Sequence, residues 1–441
     1  MCYSIPGRVV DIDGRTIIID YFGEQRRAVN EIKNLRIGDY IYAQGGYVID
    51  AVPAGEAEEV LALWKELFFE LQERDQRLSG FTRSDERADD RLSLMLERIV
   101  TADEELSEEE LLYLFNLEDE GDIVRLMQAA NHLRHKHLGN SCCIHGIVEF
   151  SNYCSQACGY CGISAHNKEV KRYRMTPEEV VEAACRAINK YGFKALVLQS
   201  GEDPAYSIDD LCRIVSGIRE REAALIFISC GEVGLKGLRR LYEAGARGLL
   251  MRFETGNPHL YEQLHPGRSL DSRLEHLRAA FDMGYLLITG GLIGLPGQTR
   301  EDVLNDILLT RSLRAEMYSF GPFIPHPGTP LAGAHSPSAL EIIKTLSVAR
   351  IADARDAKIV ITTSFETLAE DARRRGLSAG ANSVMISLTP DTLRRDYTLY
   401  PDRAHSNESL EHQISDVLDL LSDLGRAPTD IGVSHADSQL T

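Results

Sequence analysis

Three cysteines, Cys154, Cys158 and Cys161, stand in the stretch CSQACGYCGISAHNKEVKRYRMTPEE with the spacing C-x3-C-x2-C. Thiolates are soft, electron-rich ligands that suit iron–sulfur centres. Three on one short loop can hold three irons of a 4Fe-4S cubane and leave the fourth iron without a protein thiolate. An open iron binds a ligand, as the open position on a catalytic zinc does. The competing assignment is a structural zinc site completed by a distant ligand such as His166 or Cys143. The end of the stretch is plainer: Thr176 caps a helix, Pro177 takes its first position and Glu179 closes a capping box. Arg172 and Arg174 face either an anionic ligand or the surface.

These cysteines need elements to place them. Apolar, β-rich runs recur near 144–150, 193–199, 224–230, 248–253, 286–295, 317–324, 358–363 and 382–388. Helical patterns lie between them, as in Pro177–Lys190, Leu235–Ala244 and Ser272–Met283. Eight alternations predict an α/β fold, a closed (β/α)8 TIM-type barrel at 91–427, whose chemistry sits on the loops after the strands. Helices at 91–137 precede it, one opened by Ser107 and Glu110. Residues 1–75 differ. Short β-branched runs, Arg8–Ile12 and Thr16–Tyr21, flank a turn at Asp13-Gly14 and predict a hairpin inside a small β-barrel. From Ala54 to about Arg74 the apolar spacing becomes helical. A polar linker is expected at 76–90 and a polar tail at 428–441.

The cysteine spacing, with Tyr160 just before the third thiol, resembles the signature of radical S-adenosylmethionine (SAM) enzymes. That resemblance implies two cofactors, a 4Fe-4S cluster and SAM. The open iron would bind the amino and carboxylate groups of SAM, and reductive cleavage would yield a 5′-deoxyadenosyl radical. The other strand ends agree with such a site. The second carries Gln199, Ser200, Gly201, Glu202, Asp203 and Pro204, a loop that the resemblance puts near the SAM amino group. The third carries Ser229, Gly231 and Glu232. The fourth carries Arg252, Glu254, Thr255 and Asn257, and an arginine there can fork onto a carboxylate. The fifth ends in TGGLIGLPGQT, where glycines and apolar residues such as Leu292 suit an adenine. Each charge taken alone is equally explained as a rim salt bridge.

The motifs FSNYCSQACGYCGI, LQSGEDP, LLMRFETGNP, GLPGQT, GPFIPHPGTPL and GANSVMISLTP follow one another as in the HydE-type maturases of FeFe hydrogenase, which the chain resembles over about 90–427. The resemblance implies a substrate chamber inside the barrel, an iron carbonyl–cyanide or other small-molecule substrate, a reductant such as ferredoxin or flavodoxin, and hydrogenase maturation proteins as partners. It assigns Thr362, Thr363 and Arg394 to the chamber. Two departures stand out. No cysteine follows Cys230, so no second cluster has ligands late in the chain, and an expected aromatic residue falls on Leu393 in LRRDYTLYP. The segments MCYSIPGRVVDIDG and IGDYIYAQGGYVID resemble the HypC/HupF chaperones of NiFe-hydrogenase maturation. That resemblance makes Cys2 an iron ligand and replaces an expected histidine with Gln44. The alternatives are a biotin synthase-like or methylornithine synthase-like radical enzyme acting on a small organic substrate, and a non-catalytic iron-fragment scaffold.

The totals set bounds. A chain of 441 residues with 44% hydrophobic and 26% charged content fits one large domain and one small one. A formal net charge of −19 disfavours nucleic acid. No apolar run spans a membrane and no secretory signal appears, so a cytoplasmic protein is expected. In that compartment nine cysteines read as metal ligands or buried thiols, not disulfides. Cys142, Cys143, Cys185 and Cys212 fit buried thiols, and Cys230 is a lesser candidate near the pocket. His265 and His326 each begin an HPG loop, where a kink explains the Pro and Gly; a ligand role is the minor reading, and His326 is the better placed of the two for it.

Overall fold

Turn chemistry closes the first fifty residues on themselves. The computed structural model describes residues 5–81 and 90–429, and it shows five strands here. They are β1 (Gly7–Asp13), β2 (Thr16–Tyr21), β3 (Glu24–Val29), β4 (Tyr40–Gln44) and β5 (Tyr47–Val52), closed in the order β1-β2-β3-β5-β4. Gly14, with φ +58°, makes the first hairpin turn. Val9, Ile17, Ile19, Tyr21, Ile41 and Val48 fill the barrel, and helix α1 (Ala54–Leu78) lays Trp64, Phe68 and Leu71 on them. The expected iron ligand Cys2, residues 82–89 of the expected linker and residues 430–441 lie outside the described residues.

Helices α2 (Arg91–Ala102), α3 (Glu108–Phe115) and α4 (Glu120–Leu138) come next, and α3 opens with the Ser107–Glu110 capping box read from the sequence. Then the chain builds a closed barrel of eight parallel strands: β6 (Cys143–Ser151), β7 (Ala195–Ser200), β8 (Leu225–Ser229), β9 (Gly248–Leu250), β10 (Leu286–Thr289), β12 (Met317–Tyr318), β14 (Lys358–Ile361) and β15 (Ser383–Ser387). The fifth and sixth apolar runs each split. After β10 and β12 the chain leaves the barrel and pairs again as β11 (Leu292–Ile293) with β13 (Gly321–Pro322) above the mouth. Gly290 permits the break: its φ is +150°, and a Cβ there would lie 2.4 Å from the Ser319 carbonyl oxygen.

Helices cover the outside. They are α5 (Pro177–Tyr191), α6 (Ile208–Arg219), α7 (Leu235–Ala244), α8 (Pro258–Leu264), α9 (Leu270–Asp282), α10 (Arg300–Ser312), α11 (Ala339–Ala352), α12 (Thr363–Leu368), α13 (Ala372–Ser378), α14 (Asp391–Arg394) and α15 (Leu410–Asp423). No helix among the described residues is long and apolar enough to cross a membrane.

The small barrel docks on the N-terminal end of the large one. Its Gly45-Gly46 turn is left-handed, and a Cβ on Gly45 would come 2.9 Å from the Leu225 side chain. Tyr47 donates its hydroxyl to the Gly284 carbonyl at 2.9 Å, and Arg247 pairs with Glu31 at 2.9 Å. Further along α1, buried Asp75 takes both Nη groups of Arg134, at 2.6 and 2.7 Å, and lies 3.0 Å from Arg426 Nε. These ion pairs hold the connecting helix against the barrel.

Candidate functional site

All three cysteines follow β6, at the C-terminal end of the large barrel, and line one cavity of about 300 Å³. The loop is fixed from several sides. Arg172, half-buried, donates to the carbonyls of Asn152, Ile163, Ser164 and Asn167, so it holds the loop. Arg174 forks onto Asp203 at 2.6 and 2.7 Å, and Ser151 donates to the same carboxylate at 2.6 Å. Gly162 and Gly201 allow the close packing. A Cβ on Gly162 would lie 1.9 Å from the Thr398 carbonyl oxygen, and one on Gly201 would lie 2.7 Å from the Cys154 Cβ. Burial pushes the three thiols up, Cys161 to about 12, so a metal binding here displaces their protons.

The sulfurs do not meet at a point. Among the described residues no three His, Cys, Asp or Glu side chains converge to hold a single ion. A cubane asks for something else, since each thiolate takes a different iron. The zinc alternative through Cys143 is corrected by the topology: Cys143 opens β6 at the far end of the barrel, and the loop follows the other end of that strand.

The other strand ends converge on the same cavity. Tyr160, Gln199, Ser200, Gly201, Glu202, Ser229, Arg252, Glu254 and Leu292 all line it. Glu202 accepts from Gln156 Nε2 at 2.7 Å and from Arg268 Nη2 at 2.9 Å, which aims the carboxylate at the mouth. Gly231 is required beside it, because a Cβ there would lie 2.2 Å from the Glu202 Cγ. Arg252 lies 3.2 Å from Glu254, whose φ of +67° marks a constrained backbone. Glu232 departs from this group. It lines a neighbouring crevice and receives Arg273 at 3.2 Å and the Ser272 hydroxyl at 2.9 Å, so it braces arginines behind the mouth.

The order of the two HPG histidines is reversed, and further residues join that were not singled out from the sequence. His265, and not His326, meets a site cysteine: its Nδ1 lies 3.2 Å from Cys158 Sγ, and its ring packs on Tyr261. Burial, with Arg273, Arg268 and Arg252 nearby, holds this imidazole down at about 3, so it is neutral. The segment after α14 crosses the mouth and puts Tyr397, Tyr400 and Arg403 on the cavity wall. Aromatic rings are thus supplied beyond Leu393, whose place had been in question. Arg394 is a further correction. It is buried against the carbonyls of Thr389 and Glu408 and does not line the cavity, whereas Thr362 and Thr363 do. Arg403 donates to Glu149, a fully buried carboxylate that also accepts from Ser387 and Thr389. Its Nε and Nη1 have no hydrogen-bond acceptor among the described residues. Below them the wall turns apolar, with Ile147, Leu250, Val360 and Met385.

This donor set fits a three-thiolate cluster with an organic cation beside it. The sulfurs share one mouth, the glycines leave room for close approach, and Glu202 offers a carboxylate where an ammonium would sit.

Comparison with known proteins gives the same reading. The radical SAM superfamily pattern matches residues 148–309, and the HupF/HypC family pattern matches residues 1–64. The [FeFe] hydrogenase maturase subunit HydE of Thermotoga maritima is 38% identical over 324 residues, which is 74% of this chain and 92% of that protein. The 3-methylornithine synthase of Methanosarcina barkeri is 32% identical over 329 residues, or 74% of this chain and 91% of that protein. Among solved structures, methylornithine synthase superposes with a TM-score of 0.67 at 28% identity, covering 78% of this chain and 99% of that one.

Proposed function

Because this chain belongs to the HydE-type family of radical SAM enzymes and carries a HupF/HypC-family domain ahead of its barrel, we propose that it acts in building a hydrogenase metallocofactor. Cys154, Cys158 and Cys161 would hold the 4Fe-4S cluster. Gln199, Ser200, Gly201, Glu202, Ser229, Arg252, Glu254 and Leu292 would hold SAM. When bound, the cluster and SAM supply an electron and a sulfonium whose C–S bond breaks to give a 5′-deoxyadenosyl radical.

The chain's own residues do the remaining work. Glu202 holds an ammonium in place through charge, and Arg268 and Gln156 keep it from swinging away. Tyr397 and Tyr400 put aromatic rings on the cavity wall, which favours a dry chamber around a reactive species. Thr362, Thr363 and the free N–H groups of Arg403 offer hydrogen bonds to a small anionic or carboxylate-bearing substrate. A reductant and maturation partners complete the system.

One observation carries this reading. The cysteine mouth and the chamber with Arg403 are one continuous cavity, so a cofactor held by the cysteines and Glu202 and a substrate held by Arg403 would share one space within the protein. The resemblance to 3-methylornithine synthase supports a second reading, an amino acid as the substrate, since the remaining N–H groups of Arg403 suit a carboxylate equally. The test is complementation of a hydrogenase-producing strain that lacks its HydE-type maturase, beside product analysis with candidate amino acids. Restored hydrogenase activity supports maturation. A rearranged amino acid with no restored activity replaces it with the second reading.

A further inference from the structure

The floor of the large barrel carries chemistry that the proposed reaction does not use. The two-residue period of β6 puts Cys143, His145, Ile147 and Glu149 on one face. Ile147 and Glu149 line the active cavity. Cys143 and His145 lie deeper, each 2% exposed. Four residues of strand, roughly 13 Å, separate Cys143 from Ile147. Cys143 Sγ stands 3.4 Å from His145 Nδ1 and 3.9 Å from its Nε2. Gln44, at the end of β4 in the small barrel and 1% exposed, brings its amide nitrogen within 3.4 Å of the same sulfur.

The surroundings are those of a hydrocarbon core: Ala195, Val197, Leu225, Phe227, Ile288 and Met317. A thiol, an imidazole and a carboxamide are brought together in this layer from two domains, with the amide nitrogen and an imidazole nitrogen each 3.4 Å from the sulfur. Their separation suggests a use. Two ligands of a single tetrahedral ion, one sulfur at about 2.3 Å and one nitrogen at about 2.05 Å, stand about 3.6 Å apart. The similar distances to the two ring nitrogens put the sulfur over the imidazole face, so the His145 ring turns about its Cβ–Cγ bond to aim a nitrogen at the ion. A turn about the last torsion of Gln44 presents oxygen in place of nitrogen, which makes a third donor. Thiolate, imidazole and amide oxygen suit a borderline ion such as ferrous iron or zinc.

We propose that Gln44, Cys143 and His145 form a metal site at the seam of the two domains, for a single borderline divalent transition-metal ion. The thiol proton leaves to the buffer as the metal–sulfur bond forms, with no change of oxidation state. Neither domain holds the site alone: β4 supplies the amide, and β6 supplies the thiolate and imidazole. The Gly45 turn and the Tyr47–Gly284 hydrogen bond keep the two halves in register. The site lies on the far side of the cavity floor from Cys154, Cys158 and Cys161, and it does not depend on what the chamber binds.

The experiment uses the full chain with its cluster built from natural-abundance iron. After desalting, one equivalent of ⁵⁷Fe(II) is added without oxygen, and Mössbauer spectroscopy then sees only the added ion. The expected result is one retained ferrous ion per chain with a sulfur–nitrogen environment. Cys143→Ala and His145→Ala should each lower retention at least about tenfold, the scale on which lost ligand support acts. Gln44→Ala should lower it less, and Gln44→His should keep or raise it. Cluster content and SAM cleavage, unchanged in these variants, report that they fold. Should Cys143→Ala not fold, Cys143→Ser keeps the volume and still removes the thiolate. Absence of a retained ion in the parent chain, or equal retention in the parent and in both β6 variants, overturns the proposal.

Discussion

The two ends of the large barrel are built in opposite ways. At the C-terminal end, charged and polar side chains from successive loops surround an open mouth, and the three site cysteines stand on a loop pinned by Arg172 and Arg174. At the N-terminal end the strands themselves supply the side chains, the layer is apolar, and a second barrel presses a glycine turn against it. Strand β6 runs from one end to the other. The difference teaches that loops carry the variable chemistry while the strand floor is a place for packing and docking. It also places the N-terminal domain roughly 26 Å of strand away from the cysteine loop, eight residues along β6 from Cys143 to Ser151, so its influence on the mouth passes through the barrel interior.

The largest effect separates the ends most cleanly. Cys154→Ala, Cys158→Ala or Cys161→Ala should reduce SAM cleavage to background while the unfolding transition stays where it was. An equal loss of fold would erase the distinction between mouth and frame. Next is Asp75→Asn, on the frame. It leaves Arg134 and Arg426 as buried cations without their shared carboxylate, and breaking a buried pair costs about 3–5 kcal/mol. The burial of Asp75 is outweighed by Arg134, His135 and Arg426, which hold the carboxyl well below the usual range. Its stabilisation is therefore full above the unfolded value near about pH 4 and fades as pH falls further. Denaturant midpoints across acid pH should show that loss in the parent protein and a flatter limb in the variant.

Smaller effects refine the picture. Glu202→Ala should weaken SAM binding about tenfold or more, as expected when a charge-assisted bond is lost, and calorimetry on the cluster-loaded protein measures it. Asp306 tests the packing behind the mouth. Burial, with Asp302 and Glu254 nearby, pushes its carboxyl up to about 8 against a hydrogen bond from the Gly256 N–H. A raised carboxyl contributes stability below about pH 4 that is lost as pH rises toward 8. Asp306→Asn should flatten that decline. The smallest change is at the seam: Tyr47→Phe removes one exposed hydrogen bond and should cost about 1 kcal/mol in the unfolding free energy.

Much of the mouth was legible in the chain. The cysteine spacing, the glycine-bearing strand ends and the capping boxes at Ser107 and Thr176 are local signals, and local signals survive in a sequence. What escaped depends on distant segments meeting. Tyr397, Tyr400 and Arg403 enter the cavity because a stretch after α14 folds back over the mouth, and no periodicity marks that return. Arg394, which the resemblance put in the chamber, is buried in the core by the short helix α14. His265 ranks below His326 in the sequence because its meeting with Cys158 spans 107 positions. The Asp75–Arg134–Arg426 cluster joins three remote segments, and Glu232 was drawn one step back by the arginines behind it.

The central claim is that the loop of Cys154, Cys158 and Cys161 holds a cluster that cleaves SAM. The most direct measurement incubates the reduced, cluster-loaded full chain with SAM without oxygen and quantifies 5′-deoxyadenosine, with electron paramagnetic resonance of the same sample. The account predicts that SAM perturbs the reduced cluster signal and that 5′-deoxyadenosine forms in the parent chain but not in Cys158→Ala. A reduced cluster that binds SAM and yields no 5′-deoxyadenosine would contradict it.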